Sequence, residues 1–427
     1  MTAVAYLHAP EHGHAAGWIA PLRAGLPEVT DLDFQRLHLF DGFLIDLLTA
    51  HPVDAGVGSE TRSKRLLLVR EELARGGHLA TAVATRDGGC GRPSLIQTLM
   101  QFICGYHDID LRDSTGLGHG RLIARHASSP VRDRWLPRLL AGALPGIAIT
   151  ERCGGSRPRA TATQATVCRG GAWAINGTKT WISRLNEAAV FCVFFTDPAG
   201  RLSAGVIDAA AQGLTRRPIQ PSGLSGWAWG ELHLEDVRVR PCDLLGPPGS
   251  GIALLREHFA HYRPLVAATA LGAAAAACDT VAAHLIARRA AGVISEVRDN
   301  ALITLGRAYA QINAALLATL TAQRLSAAGD TRAELWGCTV KAYGVDVAYT
   351  TVSELTLLVG ALGFTADSAL AKARRDLNGL LYADGIHDSL YRSAGRTLTT
   401  TARPDSGLAE LPGPGTMAMA GLTARPA

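Results

Sequence analysis

Between residues 33 and 140 apolar positions recur at helical spacing. Phe34, Leu37, Leu39, Phe40, Phe43 and Leu47 repeat every three or four residues, and residues 66–73 renew the signal, as expected of helices that bury one face. The run Gly88-Gly89-Cys90-Gly91-Arg92-Pro93 reads as a helix stop and turn, with a new apolar helix predicted from Leu95 and helices continuing through Trp135 to Leu140. Near Gly146 the texture changes to short β-type runs. They cover residues 147–150, 161–168, 172–175, 181–182, 190–195, 204–207 and 232–239, separated by turn signals such as Arg169-Gly170-Gly171 and Asp197-Pro198-Ala199-Gly200. From Gly251 to about Arg396 long Ala/Leu-rich segments return, and after Arg403 periodicity fades. The pattern predicts an α+β fold. An N-terminal helical domain (1–145) is followed by a middle antiparallel β-domain (146–250), a C-terminal four-helix bundle (251–400) and a disordered tail (401–427).

Composition removes several function classes. The chain has 427 residues, 48% hydrophobic and 19% charged, with a net charge of +5 and scattered arginines. Nucleic-acid binding calls for a dense basic stripe, and none is present. Eight isolated cysteines form no CxxC pair and no metal-ligand spacing with histidine, so no metal site is expected, and reduced thiols suit a cytoplasmic protein. No signal-peptide pattern opens the chain. The Ala-rich stretch 264–286 is the nearest to a membrane span, but it contains Asp279 and His284, so a buried helix is predicted and no membrane partner. Gly116, Gly118 and Gly120 neither follow a strand nor complete a dinucleotide fingerprint. Cys104, His107 and His119 are assigned to core packing.

Two segments then carry chemistry. Ala148-Ile149-Thr150-Glu151-Arg152-Cys153-Gly154-Gly155-Ser156 is followed by Ile175-Asn176-Gly177-Thr178-Lys179-Thr180-Trp181-Ile182-Ser183. Together they resemble the paired flavin-binding strands of acyl-CoA dehydrogenases. Leu234 to Val239, Leu244-Leu245-Gly246, Arg263, Gly360-x-x-Gly363-Phe364, Arg375-Asp376 and Asp384-Gly385 continue that resemblance in order, over roughly residues 35–396. It implies that FAD is the cofactor. Thr150 would bond the ring, Ser156 the diphosphate, Trp181 would pack on the isoalloxazine, and Ser183 would lie near its N5. Gly155 and Gly360 fall in the same cofactor motifs. Arg288 matches an arginine that reaches the diphosphate of a neighbouring subunit, which implies a homodimer or homotetramer. Ala291, Leu357 and Ala361 depart from the family around the adenosine half.

The family removes an α-proton with a glutamate while hydride leaves the β-carbon for the flavin. The position of that base is Asp384, shorter by one methylene, with Gly385 beside it. Tyr262 stands at the family's alternative base position and would line the substrate pocket with Arg263. Arg157 and Arg159 could meet the phosphates of CoA or the acidic surface of an acyl carrier protein. The resemblance thus implies FAD-dependent α,β-dehydrogenation of an acyl-CoA or acyl-carrier-protein thioester, with the departures pointing to specialised metabolism. The electron acceptor is not encoded in any motif. Two other readings stay open: a flavin-dependent monooxygenase on the same fold, and a binding or assembly protein that has lost flavin.

Overall fold

A computed structural model describes residues 14–155 and 157–400. The chain opens with α1 (Ala16–Ile19), α2 (Asp31–Ala50), α3 (Ser59–Arg75), α4 (Ser94–His107), α5 (Arg121–His126) and α6 (Ser129–Leu140). Seven strands follow: β1 (Leu144–Ala148), β2 (Gln164–Val167), β3 (Trp173–Ser183), β4 (Ala188–Thr196), β5 (Leu202–Asp208), β6 (Leu214–Ile219) and β7 (Trp229–Val239). The helices α7 (Gly251–Ala290), α8 (Asp299–Ala327), α9 (Ala333–Leu357), α10 (Ala369–Leu380) and α11 (His387–Thr400) complete the fold. The segment 401–427, expected to be a disordered tail, lies outside the described residues.

Local chemistry explains the starts and faces of these helices. At α2, the Asp33 N–H donates to the Thr30 hydroxyl at 3.2 Å and the Thr30 N–H donates to the Asp33 carboxylate at 3.1 Å. This reciprocal cap satisfies two donors that a helix start would leave orphaned. The face α2 buries is Leu37, Phe40, Leu44 and Leu47. Leu39, which belongs to the periodic pattern, instead points outward and is 69% exposed. Helix α4 is buried on all sides from Leu95 to Tyr106. It meets α7 through glycines: a Cβ on Gly105 would sit 1.9 Å from the Thr269 carbonyl oxygen, and one on Gly272 2.0 Å from that of Phe102. No side chain fits at either point, and this contact joins the N-terminal helices to the bundle. The largest apolar cluster accordingly runs through α2, α3, α4, α7, α8 and α9 as one core.

Helix α7 is the one described helix long and apolar enough to cross a membrane, but 83% of its most apolar window is buried inside the fold. Its Asp279 is accounted for there, accepting from Trp18 Nε1 at 2.9 Å and from the Tyr106 hydroxyl at 2.7 Å. The buried-helix expectation therefore fits.

The sheet runs in the order β1-β4-β2-β3-β7-β6, with β5 on the other side of β4. It is mixed, which corrects the antiparallel expectation: β1 runs parallel to β4, and β2 meets β4 in a parallel bridge between Gln164 and Thr196. Parallel neighbours require a long crossover, and here the loop after β1 together with β2 and β3 supplies it. Strand β6 was not expected at all. Its sequence, Leu-Thr-Arg-Arg-Pro-Ile, has no buried residue, and Pro218 is tolerated because β6 is an edge strand.

Candidate active site

Strand β1, the first half of the loop after it, and β3 form one wall of a cavity of about 1500 Å³. The wall is locked from behind. The Thr180 N–H donates to the Thr150 carbonyl at 2.8 Å. Glu151 accepts from the Ala162 N–H at 2.6 Å, the Thr163 N–H at 2.9 Å, the Thr163 hydroxyl at 2.6 Å and the Lys179 ammonium at 2.8 Å, as well as from the Thr161 hydroxyl. Burial alone would raise the Glu151 pKa, but these donors outweigh it and hold it down at about 2. In front of this lock, the β3–β7 register slips between Lys179 and Ile182. The slip puts Trp181 at a φ of 58° and leaves it 57% exposed. A tryptophan in the left-handed region is strained, and the strain turns a flat ring into the cavity. Gly155 borders the same space, where a Cβ would press within 2.9 Å of the Thr150 side chain. An exposed aromatic face, a half-buried Ser183 beside it and a stripped-down Gly155 suit a large flat ligand, so the residues present fit FAD. The cavity exceeds the roughly 300–1,000 Å³ usual for a single small ligand, which leaves room for a second one.

The opposite wall carries Asp384 on the turn between α10 and α11. The turn is strained, with φ of 56° at Asp384 and 111° at Gly385, and three hydrogen bonds from two side chains hold its backbone. Buried Lys341 donates to the carbonyls of Leu380 at 2.8 Å and Gly385 at 2.9 Å. Arg263 Nε donates to the Asp384 carbonyl at 3.1 Å, and its guanidinium lies over Phe259, 4.8 Å from the ring centre. Asp384 stands three residues before α11, whose Ser389 and Leu390 N–H groups bond to the Ile386 carbonyl. The side chain is enclosed by the cavity walls. Burial pushes its pKa up, opposed by Lys341, Arg184, Arg112 and Arg263. Burial likewise pushes Lys341 down to about 7. A carboxylate that is poorly solvated, with cations beside it that favour its charged form, is chemically equipped to take a proton.

Between the two walls lies a charged floor. Arg184 directly follows Ser183, also at a φ of 58°, is 2% exposed and forms an ion pair with Asp113. Burial works against the Arg184 charge, but Asp113 more than restores it and the pKa rises. Arg112 borders the cavity as well and lies 3.4 Å from Asp110 and 3.8 Å from Asp113. The Tyr262 hydroxyl donates to Asp113 at 3.4 Å, and burial keeps it protonated far above its ordinary range. Tyr262 stacks on His258 at 5.4 Å between ring centres, and His258 Nε2 lies 2.9 Å from His119 Nδ1. Burial lowers both histidine pKa values, His258 to about 3, so the pair is neutral.

The structure therefore brings Thr150, Gly155, Trp181, Ser183, Tyr262, Arg263, Asp384 and Gly385 to one cavity. Ser156 lies outside the described residues. Arg288, in the last turn of α7, and Gly360, which opens the turn after α9 at a φ of 64°, do not border it. His119 was assigned to core packing and is buried, but it also lines the cavity. Sequence reading missed Arg112, Asp113, Arg184, Lys341 and Glu151 as parts of the site. The one local signal was an arginine immediately after the Trp-Ile-Ser triplet.

Comparison with known proteins gives this cavity its context. Family profiles described as "Acyl-CoA dehydrogenase, middle domain" and "Acyl-CoA dehydrogenase, C-terminal domain" match residues 146–237 and 249–398, together more than half of the chain. A probable acyl-CoA dehydrogenase, FadE25, of Mycobacterium tuberculosis is 28% identical over 266 residues, covering 61% of this chain and 68% of that protein. Cyclohex-1-ene-1-carbonyl-CoA dehydrogenase of Geobacter metallireducens is 28% identical over 65% of this chain and 75% of its own length. Among solved structures, butyryl-CoA dehydrogenase of Megasphaera elsdenii has the same fold with a TM-score of 0.76 at 22% identity, covering 87% of this chain and 98% of its own. The prolyl acyl carrier protein oxidase AnaB scores 0.74 at 18% identity, covering 86% and 99%. With two family domains matched in order, and the flavin wall and carboxylate facing each other across one cavity, the chain belongs to the acyl-CoA dehydrogenase family, FAD-dependent oxidoreductases of acyl thioesters.

Proposed function

We propose that this enzyme introduces a Cα–Cβ double bond into an acyl group carried on an acyl carrier protein, in specialised metabolism, with Asp384 as the base. The observation that supports the base assignment is that Asp384 lines the same cavity as Trp181 and Ser183. In the reaction the Asp384 carboxylate takes the α-proton and becomes the neutral acid. The electron pair of the broken Cα–H bond becomes the new π bond, and the chemistry that bound FAD would supply is acceptance of the β-hydride. Lys341 and Arg263 hold the Asp384 turn against the substrate, and Thr150, Gly155, Trp181 and Ser183 seat the cofactor. Arg288 and Gly360 would act on FAD from a second copy of the chain.

Support for a carrier protein comes from the rim. Arg157, Arg159, Arg392 and Arg396 are exposed and line the cavity, and among the described residues none of them pairs with a carboxylate. An uncompensated basic rim steers an acidic macromolecule towards the opening. AnaB, a structural neighbour, is a prolyl acyl carrier protein oxidase.

Anaerobic mixing of the FAD-loaded enzyme with acyl thioesters tests the base. Bleaching of the flavin by the wild type, with at least a 10²-fold loss in Asp384→Asn and full retention of FAD, is expected; unchanged bleaching in the variant removes Asp384 from the mechanism. The carrier is tested by comparing kcat/KM for one acyl group on carrier protein and on CoA. A preference for the carrier that falls in Arg392→Glu/Arg396→Glu is expected, and a preference for CoA overturns this part.

A further inference from the structure

The floor of the cavity holds more positive charge than the protein itself neutralises. Lys372 is shared by Asp108, Asp110 and Asp376 at 2.7, 3.1 and 2.6 Å. Arg112 and Arg62 also act on Asp110, so that group of three acids and three cations is balanced. Asp113 is left as the one carboxylate facing both Arg70 and Arg184. Arg70 is turned away from the cavity and spends its donors on carbonyls, with Gly142 at 2.8 Å and on Asp113 itself. Arg184, by contrast, lines the cavity. Asp384 also acts on Arg184, but it stands against Lys341 and Arg263 as well, so Asp113 and Asp384 together face four cations, Arg70, Arg184, Lys341 and Arg263.

The second observation concerns donors. Arg112 Nη2 and Arg184 Nε are buried with no hydrogen-bond partner, although both side chains line the cavity and are 8% and 2% exposed. Leaving a buried charged donor unsatisfied is costly. A fold tolerates two of them side by side most readily where a ligand completes the set. Guanidinium forks match carboxylates in shape, and two arginines converging from the loop after α4 and from the end of β3 form an anion clamp.

We propose that the substrate's acyl group carries an anionic substituent, a carboxylate or its equivalent, that seats on Arg112 and Arg184 while the thioester end lies between Trp181 and Asp384. This rests on the acyl-thioester reading above and deepens it: the floor selects a charged acyl group over an aliphatic one. The two arginines are specificity determinants here, and they act on a part of the substrate where no bond changes.

The test uses the FAD-loaded wild type and pantetheine thioesters, which leave the carrier question aside. Glutaryl and adipoyl pantetheine are compared with hexanoyl and heptanoyl pantetheine by anaerobic stopped-flow. The carboxylated members are expected to bleach the flavin at least about 100-fold more efficiently, in line with the discrimination of sites built to bond a polar group. Equal or better reaction of the aliphatic members overturns the proposal. Arg184→Met would strand Asp113, so Arg184→Lys is the variant: it keeps a charge opposite Asp113 but loses the fork. It is expected to lower the carboxylate preference at least tenfold. If Arg184→Lys shifts the flavin reduction potential and leaves the preference unchanged, the cluster serves the cofactor and the proposal falls. If no thioester bleaches the flavin, the acyl-oxidation reading itself fails. The anion site is then decided by melting temperature: glutarate, but not pentanediol, should stabilise the wild type and fail to stabilise Arg184→Lys. Absence of that difference overturns the site on its own.

Discussion

Lys341→Met tests the support under the proposed base. Lys341 is fully buried, and its ammonium donates to the Leu380 and Gly385 carbonyls, which bracket the turn that carries Asp384. Burial pushes its pKa from 10.5 to about 7, with Asp384 acting in the opposite direction. Between those two values the folded protein binds fewer protons at this site than the unfolded chain, so native stability rises with pH across the window and is flat below it. At 1.36 kcal/mol for each pH unit separating the two states, the rise is on the order of 5 kcal/mol. Methionine does not titrate, so the variant lacks that rise. It also leaves two carbonyls without a charged donor, a loss of about 1.5–3 kcal/mol each. The measurement is urea unfolding of wild type and variant from pH 6 to 10.5, followed by far-UV circular dichroism. The difference in unfolding free energy should grow in favour of the wild type by several kcal/mol between pH 7 and 10.5. A difference that stays constant across that range refutes the buried ammonium.

Asp384 must be ionised to act, and burial raises its pKa. The acid limb of the reductive rate should therefore lie above that of an ordinary aspartate and move further up in Lys341→Met, which a stopped-flow pH series would read; a limb that stays put disconnects the two groups. Trp181→Ala should weaken FAD by about 2- to 12-fold, the worth of one aromatic stack, and brighten flavin fluorescence, both visible in an equilibrium titration. Glu151→Gln should destabilise the fold by about 3–5 kcal/mol, because Lys179 would stay buried without its anion. The depressed Glu151 pKa also means that the wild type keeps this contribution above pH 4.5 and loses it as pH falls to about 2. The variant's acid-unfolding curve should lack that component.

The change from helix to strand and back was legible because periodicity reports which face of an element is buried. Leu140 closes α6 and Gly251 opens α7 as the pattern indicated. The parallel β1–β4 pair was not legible, since nothing in a short apolar run names a partner some forty residues away. Strand β6 was hidden by Arg216, Arg217 and Pro218, which an edge strand accepts and a turn would equally favour. The flavin wall could be read because glycines, a tryptophan and hydroxyls at fixed spacing have few other uses together. The floor could not. Arg112, Asp113 and Arg184 look like solvated charges in sequence, and only their enclosure by the packed elements shows that they face each other.

The carboxylate of Glu151 ties its own residue to Thr161, Ala162 and Thr163. The intervening described residues 152–155 and 157–160, which include the rim arginines Arg157 and Arg159, thus lie on a loop cinched at its base. Beyond the cofactor-facing Gly155, residues 157–160 of such a loop can exchange their sequence without disturbing the strands that seat the cofactor. Recognition of the molecule that delivers the substrate is in this sense modular: mutation can remake the rim while the redox chemistry behind it stays intact.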